Sequence, residues 1–368
     1  MSPSPLERYQ ADLKQPSFQY DPCQEQVVRD LQDLYERLLK SNSKTKKKNL
    51  LVFWGKGKPV DPEIGLYLWG GVGRGKTYLM DTFFESLPFE DKMRAHFHRF
   101  MRRVHHELTL YAGQKDPLDF IAEKLSKEAR IICFDEFFVS DITDAMLLGT
   151  LFQGLFKRGV SLVATSNIVP DQLYRNGLQR ERFLPAIDLV KKFTKVVHVD
   201  SPTDYRLRAL EKAELYHTPL DADAEQSLQK SFMSLKPEHS EVHKQLPLEV
   251  EGRPIMAKQV AEDIVWFDFV ALCDGPRSQN DYIELAKEYH AVLISQVPVF
   301  THKNNDQARR FINLVDEFYD RNVKLVLSAE KSLDEMYESG LLGFEFERTT
   351  SRLLEMQSHE YLAAAHKP

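Results

Sequence analysis

Cysteine is scarce in this chain: Cys23, Cys133 and Cys273 are the only three, and they lie far apart. An odd, dispersed set excludes a disulfide framework and a Cys-rich zinc site, and it predicts a reducing compartment such as the cytosol. Long apolar runs are lacking as well. No stretch of about 18 apolar residues occurs, which excludes a transmembrane helix. The opening residues, MSPSPLERYQADLK, hold no apolar core and include Glu7 and Asp12, so neither a signal peptide nor a transit peptide is expected. Nor is there an excess of basic charge. Lys and Arg number 49 against 55 Asp and Glu, a formal net charge of −6. That balance argues against nucleic acid as the main partner, although a local basic patch remains compatible with it.

What is present is ordinary for a folded protein: 42% hydrophobic and 28% charged residues in a chain of 368. That is enough apolar material for sizeable cores, and it excludes disorder over the whole chain. The length predicts two or three domains. Residues 1–24 read as an irregular arm. Val27, Leu31, Leu34 and Leu38 then repeat at helical spacing through residues 25–40. Residues 41–49 (SNSKTKKKN) read as a mobile connection. The lysines at 44 and 46–48 are a solvated face or a contact to an acidic partner or anionic membrane surface.

From residue 65 the pattern alternates. Strands are expected at 65–70, 93–101, 129–137, 160–167 and 195–200, with helices between them. Either Ser140 or Asp141 is expected to cap the helix before residue 142. Strands written as near-continuous apolar runs, alternating with helices, indicate a parallel sheet covered on both faces. The fold class is therefore α/β. Beyond a helix at 222–235 and a polar stretch at 237–247, the chain turns mixed α/β, with EGRP as a turn and a helical end. The expected organisation is an N-terminal arm, helix and basic linker over 1–64, an alternating α/β core over 65–205, a helical connection over 206–245, and a mixed α/β region over 246–368.

Residues 70–77 read GGVGRGKT, which satisfies G-x-x-x-x-G-K-[ST]. Gly70, Gly71, Gly73 and Gly75 let the chain wrap so that its N–H groups, with those of Val72 and Arg74, point inward at phosphate oxygens. Lys76 supplies a cation to the β and γ phosphates, and the Thr77 hydroxyl is a ligand for Mg²⁺. A helix opening there adds the positive end of its dipole. Chance would produce the motif in about one chain in a hundred of this length. Here it also follows an expected strand and opens an expected helix, as the mechanism requires.

A second strand must carry an acidic residue to hold Mg²⁺, and IICFDE at 131–136 fits. Asp135 would face the metal, and Glu136 would polarise the attacking water. The bland alternative is a solvated pair of strand-end carboxylates. Asn167, at the tip of LVATSN, is a candidate to touch the γ-phosphate and the lytic water, and otherwise a turn residue. Arg180 and Arg182 lie where a ring-forming ATPase would reach the neighbouring subunit's nucleotide, or they are surface ion pairs. Gln24 carries both a donor and an acceptor and could pair with the adenine edge, or simply open the first helix. His96 and His98 are expected to share one strand face, with His105 and His106 following. Without matching carboxylates or cysteines, a metal site there is the lesser reading.

The segments GLYLWGGVGRGKTYLMD, HFHRFM, CFDEFFVSDITDAMLL, LVATSN and LYRNGLQRERFLPAI resemble those of the AFG-like P-loop ATPases of the AAA+ superfamily, and the resemblance continues through DYRLR, GPRSQNDYI, ARRFINLVDEFYDR and SRLLEMQSHEYL. It implies an AAA+ core using ATP and Mg²⁺ and a nucleotide-dependent homo-oligomer. For the bacterial branch it implies a cytoplasmic protein recruited to the division site at the membrane, where it binds the tubulin-like FtsZ and destabilises its polymers. Two departures stand out. The usual AAA+ lid is a small helical bundle, whereas this chain's last third reads as mixed α/β. The lid arginine has four competing matches, Arg208, Arg310, Arg348 and Arg352. The alternative function is an ATP-gated adaptor or loader with slow hydrolysis. A small-molecule kinase is disfavoured, because the D-E pair suits attack by water.

Overall fold

The computed structural model describes residues 3–15, 18, 20–49, 61–71, 73–111, 113–139, 141–200, 207, 210, 213–236 and 240–367, with side chains beyond residue 41 of the second helix left aside. The chain divides into two compact units, Met1–Thr203 and Asp204–Pro368.

The first unit opens with α1 (Pro5–Asp12), where an irregular arm was expected. Its start is a capping box. Ser4 Oγ accepts from the Glu7 N–H, the Glu7 carboxylate accepts from the Ser4 N–H, and Pro5 takes the first position, where no N–H is missed. Next comes α2 (Pro22–Asn49). It is capped by Asp21, whose Oδ1 accepts from the N–H groups of Cys23 at 2.8 Å and Gln24 at 3.3 Å. Residues 41–49 are therefore helix rather than a loose connection. They contain neither Gly nor Pro, and lysine is a good helix former.

Five strands follow: β1 (Gly65–Trp69), β2 (Lys92–His96), β3 (Ile131–Asp135), β4 (Ser161–Ser166) and β5 (Thr194–His198). They form one parallel sheet in the order β2-β3-β4-β1-β5. Between them run α3 (Lys76–Ser86), α4 (Phe97–Leu110), α5 (Pro117–Glu128), α6 (Ile142–Lys157) and α7 (Leu184–Phe193). β3 and β4 are buried throughout, while the edge strands β2 and β5 are half exposed. Alternation along β3 divides the core. Ile131 and Cys133 join Val27, Leu31, Leu79 and Phe83 on one face, and Ile132 and Phe134 join Phe100, Ile121 and Phe152 on the other. Phe134 and Phe137 sit among the rings of Phe97, Phe100 and Phe152 at centroid distances of 4.5–6.5 Å. Such pairs add about 0.5–1.5 kcal/mol each beyond area burial.

The strand expected over 93–101 is cut short by a helix. β2 stops at His96, and residues 97–101 begin α4. Phe97, Phe100, Met101 and Val104 are all buried, and their spacing is helical. His96 and His98 consequently do not share a strand face; their rings lie 6.1 Å apart across a strand–helix junction. At α6 the cap is Asp141, whose Oδ1 accepts from Thr143 and Asp144 N–H. Ser140 lies outside the described residues.

The second unit is built on a six-stranded mixed sheet. After β6 (Tyr216–His217) and α8 (Ala224–Leu235) come β7 (His243–Val250), β8 (Arg253–Ala261) and β9 (Ile264–Asp268). The chain continues as α9 (Phe269–Cys273), α10 (Gln279–Glu288), β10 (Ala291–Val297), α11 (Asn305–Asp320), β11 (Lys324–Ala329), α12 (Gly343–Glu355) and α13 (His359–Ala363). The order is β6-β11-β10-β9-β8-β7. β9, β10, β11 and β6 are parallel, and β7 to β9 form an antiparallel meander. The EGRP turn is a two-residue hairpin loop in which Glu251 and Gly252 both take positive φ, 48° and 70°. α10 and α11 cover one face of the sheet, and α8 covers the other, where Phe232 meets Trp266. The end expected as one helix is two, because Ser358 caps a fresh start at α13.

Candidate nucleotide-binding site

The site lies at the C-terminal ends of β1, β3 and β4, where open parallel sheets present their ligand-binding residues. β1 delivers Gly70, β3 delivers Asp135 and Glu136, and β4 delivers Ser166 and Asn167. Two glycines of the loop are required by what surrounds them. Gly70 has φ 154°, and a Cβ there would fall 2.3 Å from the Val199 carbonyl oxygen. Gly75 has φ 82°, and its Cβ would fall 2.4 Å from Gln24 Nε2. Gly75 is also the residue from which α3 departs, so the left-handed turn aims the helix's first N–H groups at the loop. Gly71, Gly73 and Arg74 complete the described part of the loop, and Val72 lies outside the described residues.

Lys76 is buried, and its ammonium is already organised. Nζ donates to Gly70 O at 2.8 Å, Gly71 O at 2.7 Å and Asn167 Oδ1 at 3.0 Å. The structure thus joins Lys76 and Asn167, which are 91 residues apart in the chain. Asp135 is buried, with Oδ2 held by Arg94 Nε at 2.6 Å. Its other oxygen, Oδ1, has no hydrogen-bond partner. Glu136, half-buried, takes φ 52°. Its N–H donates to Thr165 Oγ1 at 3.2 Å, and the next N–H, of Phe137, donates to Thr165 O at 2.7 Å. A left-handed conformation at a non-glycine residue is strained and persists where neighbours over-determine it. Thr165, on the adjacent strand, is that neighbour.

Sequence reasoning missed three residues here: Thr165, Arg94 and Asp81. Arg94 on β2 forms ion pairs with Asp135 and with Asp81, one turn beyond Thr77 on α3. Burial pushes the Asp81 carboxyl up to about 6, against the pull of Arg94. No local motif marks these residues, although a charged pair inside apolar segments is a usable signal.

Gln24, the third residue of α2, is buried against Gly75, and its Oε1 has no partner. Nearby, the Trp69 and His198 rings stack at 4.0 Å. Arg180 and Arg182 occupy one short 3₁₀ turn. Arg180 Nη2 donates to Asp171 O at 2.6 Å, and Arg182 is exposed. Of the lid candidates, Arg348 and Arg352 pair with Asp316, Arg310 donates to Cys273 O, and Arg208 lies outside the described residues. His105 pairs with Asp144 at 2.6 Å. Among the described residues, no group of three or more His, Cys, Asp or Glu is arranged around a common metal position.

A parallel β2-β3-β4-β1-β5 sheet, a glycine loop opening a helix after β1, and an Asp-Glu pair ending β3 define a P-loop ATPase of the AAA+ class. A family model described as AFG1-like ATPase matches residues 3–365. The chain belongs to that family and is an ATPase. It is 49% identical to Cell division protein ZapE of Escherichia coli strain K12, over 99% of both chains. It is 36% identical to Lactation elevated protein 1 homolog B of Danio rerio, over 83% of this chain and 69% of that one. Among solved structures, AMPPCP-bound DnaA from Aquifex aeolicus aligns over 58% of this chain and 61% of its own, with 12% identity and a TM-score of 0.35. That likeness is too slight to add to the strand-order argument. Among the described residues, no helix is long and apolar enough to cross a membrane.

Proposed function

We propose that this chain is a cell-division ATPase that couples Mg²⁺-dependent ATP hydrolysis to the remodelling of FtsZ polymers at the bacterial division site, as a nucleotide-dependent homo-oligomer. The observation that carries the reading is the end-to-end 49% identity to a curated cell division protein, joined by the Asp135-Glu136 pair at the end of β3, which suits attack by water. The cytoplasmic location, the recruitment and the FtsZ partner belong to this reading.

In the proposed mechanism, the loop N–H groups and Lys76 bind the phosphates. Lys76 starts from a pre-aimed position, because the carbonyls of Gly70 and Gly71 and the Asn167 amide hold its ammonium at the loop. Thr77 and Asp135 fit a magnesium site: a hydroxyl on the first turn of α3 would be joined by a strand-end carboxylate whose Oδ1 lacks a hydrogen-bond partner. Magnesium takes one or two carboxylates beside substrate phosphates and water, and when bound it would neutralise charge on the phosphates. Glu136 accepts the proton of the attacking water, and Asn167 orients that water. Arg180 or Arg182 serves the next subunit, for which Arg182 is the exposed and Arg180 the backbone-tethered candidate. Gln24 reads the adenine edge through its partnerless Oε1.

The test is ATP turnover across protein concentration, with and without FtsZ polymers, for wild type, Lys76→Ala, Glu136→Gln and Arg180→Ala. Glu136→Gln is expected to bind ATP and lose about 10²–10⁴ in turnover. Arg180→Ala is expected to abolish the rise of specific activity with concentration. Activity independent of concentration, and FtsZ polymers unaffected by ATP and enzyme together, would sink the remodelling reading in favour of an ATP-gated adaptor.

A further inference from the structure

We propose that Arg94 is a positioning residue for the carboxylate that ends β3: it binds one oxygen of Asp135, anchors itself on Asp81, and so presents the other Asp135 oxygen to the cation that accompanies the nucleotide. The inference rests on the reading of Asp135 as the metal-facing carboxylate.

Sheet register brings the three residues together. Arg94 on β2 lies opposite Cys133 on β3, and β3 places Asp135 two residues on, on the same face. Cys133 packs with Leu79, Met80 and Phe83 of α3, so this is the face that α3 covers. Asp81 lies four residues after Thr77, one helical turn along and on the same side of α3. The Arg94 side chain spans that gap. Nε meets Asp135 Oδ2 at 2.6 Å, and Nη1 pairs with Asp81 Oδ1.

All three side chains are largely out of water, with relative exposures of 15% for Arg94, 5% for Asp81 and 8% for Asp135. Two buried carboxylates around one guanidinium are costly to assemble, and an apolar trio would serve stability as well. What the trio provides is orientation. Asp135 cannot rotate without breaking its Arg94 bond, and the oxygen left over, Oδ1, is buried with no partner of its own. A planar guanidinium can serve two carboxylates in fixed directions, whereas an ammonium is a point charge without that fork. The bridging role is therefore separable from the charge.

The experiment titrates Mg²⁺ into full-length protein with a fluorescent ADP analogue and reads the cation concentration for half-maximal enhancement of nucleotide affinity. The variants are Arg94→Lys, Asp81→Asn and Asp135→Asn. Because Arg94→Ala strands two buried carboxylates and could unfold, the charge-preserving Arg94→Lys carries the test, and its fold is checked by thermal melting. Arg94→Lys is expected to raise the half-saturating Mg²⁺ about tenfold, in the range of losses seen when residues supporting a metal ligand are changed. Asp81→Asn should shift it in the same direction by a smaller factor. Affinity for the analogue in EDTA should stay within about twofold of wild type for both. A folded Arg94→Lys that keeps wild-type half-saturation, or needs less Mg²⁺, while Asp135→Asn is shifted, would overturn the positioning role alone. No shift in Asp135→Asn either would overturn the reading of Asp135 and this proposal with it.

Discussion

At the residue scale, the site depends on a few atoms that leave no room for substitution. Gly75→Ala would need a Cβ 2.4 Å from Gln24 Nε2 at a left-handed backbone position. The expected outcome is a loss of nucleotide affinity of tenfold or more with the fold retained, read by titration with the fluorescent ADP analogue. Thr165→Val keeps the shape of the side chain but removes the oxygen that accepts from the Glu136 N–H. Leaving that donor unmet costs about 1–3 kcal/mol and frees Glu136 from its strained φ of 52°. Turnover is therefore expected to fall about tenfold or more with KM for ATP little changed, since Thr165 bears on the acidic residue and not on the phosphate loop. An equal rise in KM would place Thr165 in binding instead. These two positions also show what was legible. The glycines announce themselves by spacing. The Thr165 hydroxyl sits inside VATS as one more strand residue, and it acquires a role only when β4 lies beside β3.

At the element scale, the same distinction holds. Strands and helices of the first sheet are readable because burial on both faces writes them as apolar runs, and Asp141 as the α6 cap follows from local chemistry. Asp141→Ala removes an acceptor for two N–H groups and is expected to cost about 1 kcal/mol. For a unit of this size that lowers the melting temperature by about 2–4 °C, measurable by calorimetry, with Asp141→Asn close to wild type. The errors have physical causes as well. α1 is hard to read from sequence because a helix of 8 residues carries too little periodicity, although Ser4, Pro5 and Glu7 spell its cap. The length of α2 is hidden in the sequence because a lysine-rich polar stretch looks like a loop when no packing is visible, yet nothing in it stops a helix. β2 reads longer in the sequence than it is, because Phe97, Phe100 and Met101 fit an apolar strand until the period beyond them is counted. Arg94 and Asp81 could not be paired at all, since their partnership with Asp135 exists only through strand register and helix docking.

At the scale of the whole molecule, two units with separate cores predict two separable stabilities, and each carries its own marker. The nucleotide site belongs to the first unit, so Mg²⁺ and a non-hydrolysable ATP analogue should raise the transition of that unit. At about 100 times Kd the gain is about 2.7 kcal/mol, and Lys76→Ala should abolish it. The second unit carries a different handle. His217 on β6 is half-buried, which disfavours its charge. Its Nδ1 lies 3.1 Å from Glu214 Oε1 and its Nε2 3.1 Å from Asp221 Oδ1, and together they outweigh burial and raise its pKa. A histidine whose folded pKa is raised stabilises fully below its unfolded value, near 6.5, and loses that contribution as pH rises through the folded value. Scanning calorimetry between about pH 6 and 8.5 should therefore show the second unit's transition falling with rising pH, and His217→Gln should flatten that dependence while leaving the nucleotide response intact. If one transition carried both responses, and either variant removed both, the two units would be a single cooperative body.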